Sequence, residues 1–352
     1  MKIAHLVLGR EAPANLAGAV LSRDVDVDGE RWTKGRRLTG DDLRRAAAVP
    51  ALPGRPITVL LPDAGDIHED DAARRISQAV AGPGLAGSEP AQSRIDLRAT
   101  YPGLVRIDVP ALDRINGIDS VEVFTILDGR VVESGALVAS VKVAPHLIPD
   151  VEVERAERRA ARAGRRGVVS VAPLRPRRVA AIVKESIRGI ARDRFEASVR
   201  AKVEGLGSAL VGIDYVNDAI EPVVTAVRAR ARGRAPGRAD LILTAGSGST
   251  DPVDPFFMAI DELGGRIVSH GIPAHPGSML WLAVLGRVPI LGLPSCGAYS
   301  RATAADLVLP ALLAGAPASR RTIARLGHGG ILSRDQRFRF PAYARELEAP
   351  DG

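Results

Sequence analysis

The stretch Ala239-Asp-Leu-Ile-Leu-Thr-Ala-Gly-Ser-Gly-Ser-Thr-Asp-Pro-Val-Asp254 passes from apolar to small and hydroxylic residues, and a helical pattern, Pro255-Phe-Phe-Met-Ala-Ile-Asp-Glu-Leu263, comes next. A strand that ends this way and opens a helix suits an anion, because the helix start carries unpaired N–H groups and a positive dipole end. Gly246 and Gly248 let the backbone turn tightly, and Thr244 and Ala245 lead into the hydroxyls of Ser247, Ser249 and Thr250. Phosphate is the expected guest. The Gly-Lys-Ser/Thr ending of a P-loop is missing, as is a dinucleotide fingerprint, and a plain strand-to-helix connector is the other reading. Asp254 before Pro255 reads as an N-cap with proline at the first helical position. Capping and chemistry are compatible, since a carboxylate has two oxygens. Asp251 has no such structural excuse, and two carboxylates beside an anion loop imply Mg²⁺ between them.

Outward from this stretch the pattern is regular. Strands are expected at 179–183, 209–213, 239–244, 266–269 and 288–291, and helices at 194–206, 219–232, 254–263 and about 301–313. Such alternation predicts a mostly parallel, doubly wound α/β sheet, which binds ligands at the carboxyl ends of its strands. A second loop, Leu291-Gly-Leu-Pro-Ser-Cys-Gly297, sits at that edge and aims the Ser295 and Cys296 amides at a ligand. Cys296 reads either as a nucleophile or, more in keeping with a lone cysteine beside an apolar strand, as a packed side chain. A third segment, His275-Pro-Gly-Ser-Met-Leu-Trp281, is a turn entering another strand or helix.

Before about residue 150 the reading is α+β, with β-like runs at 57–61, 104–109, 120–126 and 137–143 and helical patterns at 39–46 and 70–80. The expected organisation is an N-terminal region over 1–174, the α/β domain over 175–315 and a C-terminal tail over 316–352. His68-Glu69-Asp70-Asp71 reads as metal ligands or as acidic residues favoured in the first turn of a helix. His270 and His275 are too loosely spaced for a zinc site.

The formal charge is +7, but the run Glu154-Arg-Ala-Glu-Arg-Arg-Ala-Ala-Arg-Ala-Gly-Arg-Arg166 mixes both signs and suits a solvated helix. Aromatics make up 3% of the chain, so no stacking platform accompanies the charge, and no nucleic-acid partner is expected. One cysteine excludes an intrachain disulfide, no apolar stretch is long enough to cross a membrane, and no signal peptide is visible. A cytoplasmic protein without a membrane partner is expected.

The three segments Thr244-Ala-Gly-Ser-Gly-Ser249, Pro276-Gly-Ser-Met279 and Gly292-Leu-Pro-Ser-Cys-Gly297 together resemble the molybdopterin-binding domain of molybdenum-cofactor biosynthesis proteins. The molybdopterin molybdenumtransferase family has, in the same order, a Thr-Gly-Gly-Val-Ser-type loop with a nearby Asp, a Pro-Gly-Lys-Pro turn and Gly-Leu-Pro-Gly-Asn-Pro. A molybdenumtransferase-like branch is closer still, through His68–Arg75, Arg114-Ile-Asn116, Val131–Ala139, Ala305–Gly315 and Leu326–Gly330, so the resemblance spans nearly the whole chain. It implies a ligand, molybdopterin or adenylylated molybdopterin, held by Thr244–Thr250, Glu185, Pro276, Gly277, Ser278, Gly292, Leu293, Pro294, Ser295 and Cys296. It also implies Asp251 and Asp254 as catalytic Mg²⁺ ligands, molybdate as co-substrate, and a homo-oligomer. The expected activity is Mg²⁺-dependent molybdate insertion.

The departures point elsewhere. Ile182-Val-Lys-Glu-Ser-Ile187 keeps an acid at Glu185 but loses the family's glycine, Ser278 stands where the family has lysine, and the asparagine of the last loop is absent. A non-catalytic carrier that hands the cofactor to a molybdoenzyme is therefore the alternative, and an unrelated doubly wound nucleotide-binding protein is a third reading.

Overall fold

A computed structural model describes residues 1–50, 56–184, 189–247, 249–293 and 302–346. The chain forms two compact units. One comprises Met1–Tyr101, Arg106–Ile126 and Ser134–Val171, and the other comprises Pro102–Val105, Leu127–Glu133 and Ala172–Gly352.

The first unit is α+β. Its four-stranded antiparallel sheet runs in the order Val121–Thr125, Leu137–Val143, Arg94–Ala99, Leu85–Gly87. The helices Glu69–Val80 and Asp150–Ala161 pack on each other within this unit. The first of them settles the His68–Asp71 ambiguity. His68 is its N-cap, with Nδ1 accepting from the Asp70 amide at 3.1 Å and Nε2 at 2.7 Å from the Gly35 carbonyl. A ring protonated on Nε2 serves both partners, and Glu69 is joined to His146 at 3.0 Å. His68 thus orders the helix start while Asp71 pairs with Arg37 and Arg74, and among the described residues no group of three or more potential ligands is arranged to hold a metal ion.

The second unit carries the expected doubly wound sheet. Its elements are β1 (Arg178–Val183), α1 (Ile190–Glu204), β2 (Ala209–Tyr215), α2 (Ile220–Arg232), β3 (Leu241–Ala245), α3 (Pro255–Glu262), β4 (Arg266–His270), β5 (Trp281–Leu285), β6 (Val288–Gly292) and α4 (Ala305–Leu313). The strand order is β2-β1-β3-β6-β5-β4. β2, β1, β3 and β6 are parallel, while β5 runs antiparallel to β6 and β4 on either side. The central strands are buried along almost their whole length, as sheets covered on both faces require. Val179, Ala181, Leu241 and Leu243 pack with Phe195 and Val199 of α1 and with Val308 and Leu309 of α4. Ala180, Ile182 and Ile242 pack on the other face with Val223 and Val227 of α2 and with Phe256 and Ile260 of α3. Ile323, Phe340 and Tyr343, beyond α4, join the first of these clusters. No described helix is long and apolar enough to cross a membrane.

Candidate functional site

Strand register brings the sequence-predicted segments together. One row of the sheet reads Asp214, Ile182, Thr244, Gly292, Trp281, His270 from edge to edge. Hydrogen bonds continue one step further, from the Lys184 amide to the Ala245 carbonyl at 3.2 Å, from Leu293 to Thr244 at 2.8 Å and from Val216 to Val183 at 2.9 Å. The four parallel strands therefore end level, and the loops after β3 and β6 leave adjacent strands at one carboxyl edge. The third segment reaches the first through Ser249 Oγ, 3.6 Å from Met279 Sδ.

Gly246 has φ +88°, a left-handed conformation that glycine takes without strain, so the chain turns sharply after Ala245. Ser247 Oγ accepts a 2.5 Å hydrogen bond from the indole N–H of Trp281. Thr250 is exposed and Ser278 half-buried. Pro276 and Gly277 lie under the start of α4. The Pro276 carbonyl accepts from the Ala304 amide at 2.9 Å, and a Cβ on Gly277 would approach that nitrogen to 2.8 Å. Gly292 is likewise a packing glycine, since a Cβ there would lie 2.1 Å from two atoms of the Trp281 ring. The close approach that its place in the motif implies is made by an indole. Glu185, Gly248, Pro294, Ser295 and Cys296 lie outside the described residues.

Asp254 caps α3 as its sequence predicts, with Oδ1 accepting from the Phe256 amide at 2.9 Å. Its other oxygen lies 3.0 Å from Lys184 Nζ, and the residue is 2% exposed. Asp251 is exposed, with one carboxylate oxygen accepting from the Val253 amide at 3.0 Å. The two aspartates are thus unlike: one is a buried member of an ion pair, the other stands at the surface.

Lys184 and Asp218 were missed by sequence reasoning. Lys184 is 9% exposed and extends β1 on the side-chain face of Ala180 and Ile182, and its ammonium also reaches Asp218 Oδ1 at 2.8 Å. Burial works against its charge, but the hydrogen bonds and charges of Asp218 and Asp254 outweigh it and hold the pKa above the ordinary lysine value. The available signal was a single cation closing a buried apolar strand; its carboxylate partners come from later loops and leave no local pattern. On the same face, Thr244 is 1% exposed and its Oγ1 has no hydrogen-bond partner among the described residues. A buried hydroxyl left so costs about 1–3 kcal/mol, which a ligand or water would relieve. The carboxyl edge thus offers a cation, a hydroxyl without a partner among the described residues, loop hydroxyls and the starts of α2 and α3.

Residues 178–314 match the family model described as a probable molybdopterin binding domain. No curated protein matches the chain. Among solved structures, the molybdopterin biosynthesis MoeA protein from Pyrococcus horikosii is 15% identical, over 74% of this chain and 81% of that one, with a TM-score of 0.28. The molybdopterin biosynthesis enzyme MoaB from Thermus thermophilus is 22% identical, over 41% of this chain and 99% of that one, also with a TM-score of 0.28. At those scores neither structure carries an argument about this chain.

Proposed function

We propose, from the premise that residues 178–314 form a domain of the molybdopterin-binding family, that the chain binds molybdopterin or its adenylyl ester at the carboxyl edge between β3 and β6 and serves molybdenum-cofactor biosynthesis. The observation that carries this reading is the Thr244 hydroxyl beside the Ala245–Thr250 loop, buried and without a partner among the described residues. The ligand's phosphate would take hydrogen bonds from the loop amides and from Ser247, Ser249 and Thr250. Ser278, Leu293, the stretch Pro294–Cys296 and Glu185 would line its organic part.

The finer reading is molybdate insertion with Mg²⁺ held by Asp251 and Asp254. The donor set does not fit that metal site, because both oxygens of Asp254 already have partners in a Lys184 ammonium and the Phe256 amide. Asp251 alone keeps an outward carboxylate. The occupied Asp254 favours the second reading, a carrier that holds the pterin and passes it to a molybdoenzyme. The deciding experiment incubates the purified protein with adenylylated molybdopterin, molybdate and Mg²⁺ and follows AMP. A carrier retains the pterin without releasing AMP, whereas AMP release dependent on Mg²⁺ and molybdate establishes insertion. Failure to retain any pterin removes both readings.

A further inference from the structure

Among the described residues, five charges set the balance around Lys184. Lys184 supplies one fixed positive charge in a setting that screens it little, and Asp254 neutralises it from below. The starts of α2 and α3 add about half a positive charge each. Asp218 is different in kind from Asp254. Its side chain is 63% exposed, it lies just before α2, and it meets the ammonium from the solvent side. Solvent screens an exposed carboxylate of this sort and can replace it, whereas removing one member of a buried pair leaves an uncompensated buried charge. Asp218 is therefore the partner that an incoming anion can displace, and Asp254 is the one that stays.

We propose that Lys184 is the anion-receiving residue of this site, that Asp218 occupies the ammonium's outer face as an internal stand-in for the ligand's phosphate, and that binding needs no divalent metal. The identification of the anion as a pterin phosphate rests on the functional reading above; the exchange of one carboxylate for one phosphate on Lys184 does not. With Asp218 in place the immediate setting of Lys184 carries roughly no net charge, counting the ammonium and two helix starts against two carboxylates, with the exposed Asp251 carboxylate lying further out in the β3–α3 loop. With Asp218 turned out, that setting carries about one positive charge, and the Thr244 hydroxyl, unpaired among the described residues, lies one strand over.

The test measures binding of inorganic phosphate, and separately of purified molybdopterin, by calorimetry in chelator and again with Mg²⁺. The wild-type protein is expected to bind phosphate equally well in both. Lys184→Met is expected to lose at least about ten-fold in affinity, a charge-assisted hydrogen bond being worth roughly 1.5–3 kcal/mol. Lys184→Arg is expected to retain binding. Asp218→Asn is expected to bind about two- to five-fold more tightly, since it removes the competing carboxylate and leaves the buried pair intact. If Lys184→Met does not fold because Asp254 is stranded, Lys184→Met/Asp254→Asn removes both charges and carries the same expectation. Binding that requires Mg²⁺, binding unchanged in either lysine-to-methionine protein, or weaker binding by Asp218→Asn would overturn the proposal. Phosphate bound through Lys184 with no molybdopterin bound rejects the pterin reading alone. Molybdopterin bound as tightly without the lysine rejects this inference alone.

Discussion

Replacing Gly292 with alanine separates two accounts of a glycine that the motif assigns to the ligand. A Cβ at this position would sit 2.1 Å from Cε2 and Nε1 of Trp281 and 2.5 Å from Cδ1, far inside van der Waals contact. The indole cannot retreat easily. It is fully buried, 5.2 Å from Phe257 and 6.0 Å from Phe256 between ring centroids, and tethered to Ser247 through its N–H. Overpacking a core costs about 1–3 kcal/mol, and loss of the Ser247 hydrogen bond adds about 1 kcal/mol, giving about 2–4 kcal/mol in all. For a unit of this size that lowers Tm by on the order of 5–15 °C. The assay is thermal unfolding followed by tryptophan fluorescence. The chain has two tryptophans, and the other, Trp32, belongs to the first unit, so a changed emission can be traced by repeating the measurement in a Trp32→Phe background. Trp281→Phe combined with Gly292→Ala should recover part of the loss, because the smaller ring leaves room for the methyl group. A Gly292→Ala protein with unchanged Tm and emission, yet weakened ligand binding, would refute the packing argument and return the glycine to the ligand.

Three further perturbations follow from the same geometry. Lys202 and Asp306 form a fully buried ion pair at 2.7 Å, with Tyr343 and the Thr303 amide also donating to Asp306, so Asp306→Ala is expected to destabilise the protein by about 3–5 kcal/mol in denaturant titration. Burial and the Glu196 carboxylate push the Tyr215 phenol up to about 12, against the opposing pull of Arg192. A raised pKa means the neutral phenol favours the fold, so its contribution is intact below the unfolded value near 10 and is lost as pH rises through about 12. Ultraviolet titration of wild type minus Tyr215→Phe should show that late step; a step at the ordinary tyrosine value contradicts it. Asp251→Ala should leave pterin affinity unchanged while removing any Mg²⁺-dependent AMP release, and loss of pterin binding in that variant would place Asp251 against the ligand instead.

The parallel part of the sheet was legible because both faces of β1, β3 and β6 are covered, which demands unbroken apolar runs such as Val179–Val183 and Leu241–Leu243. β5 was legible only as an undecided strand or helix. Five apolar residues between a turn and Gly286 carry no period that separates the two, and the pairing with β4 and β6 decides it. The Asp254 cap was visible in the Asp-Pro dipeptide, since capping is a local interaction. Its second partner, Lys184, was not, because only the register of β1 against β3 brings the two together. His68 shows the same limit. Its neighbours allow a metal ligand or a cap equally, and the Gly35 carbonyl, distant in sequence, holds Nε2 so that Nδ1 is left to accept from the Asp70 amide.

The central claim is that the edge shared by β3 and β6 holds a phosphorylated pterin. Mass spectrometry of the small molecules released from protein made in a host that synthesises the cofactor tests it most directly. The account predicts a phosphorylated pterin in near-equal ratio with the chain, depleted in Lys184→Met/Asp254→Asn. Protein that emerges without a pterin, and takes up none when molybdopterin is added, would contradict it.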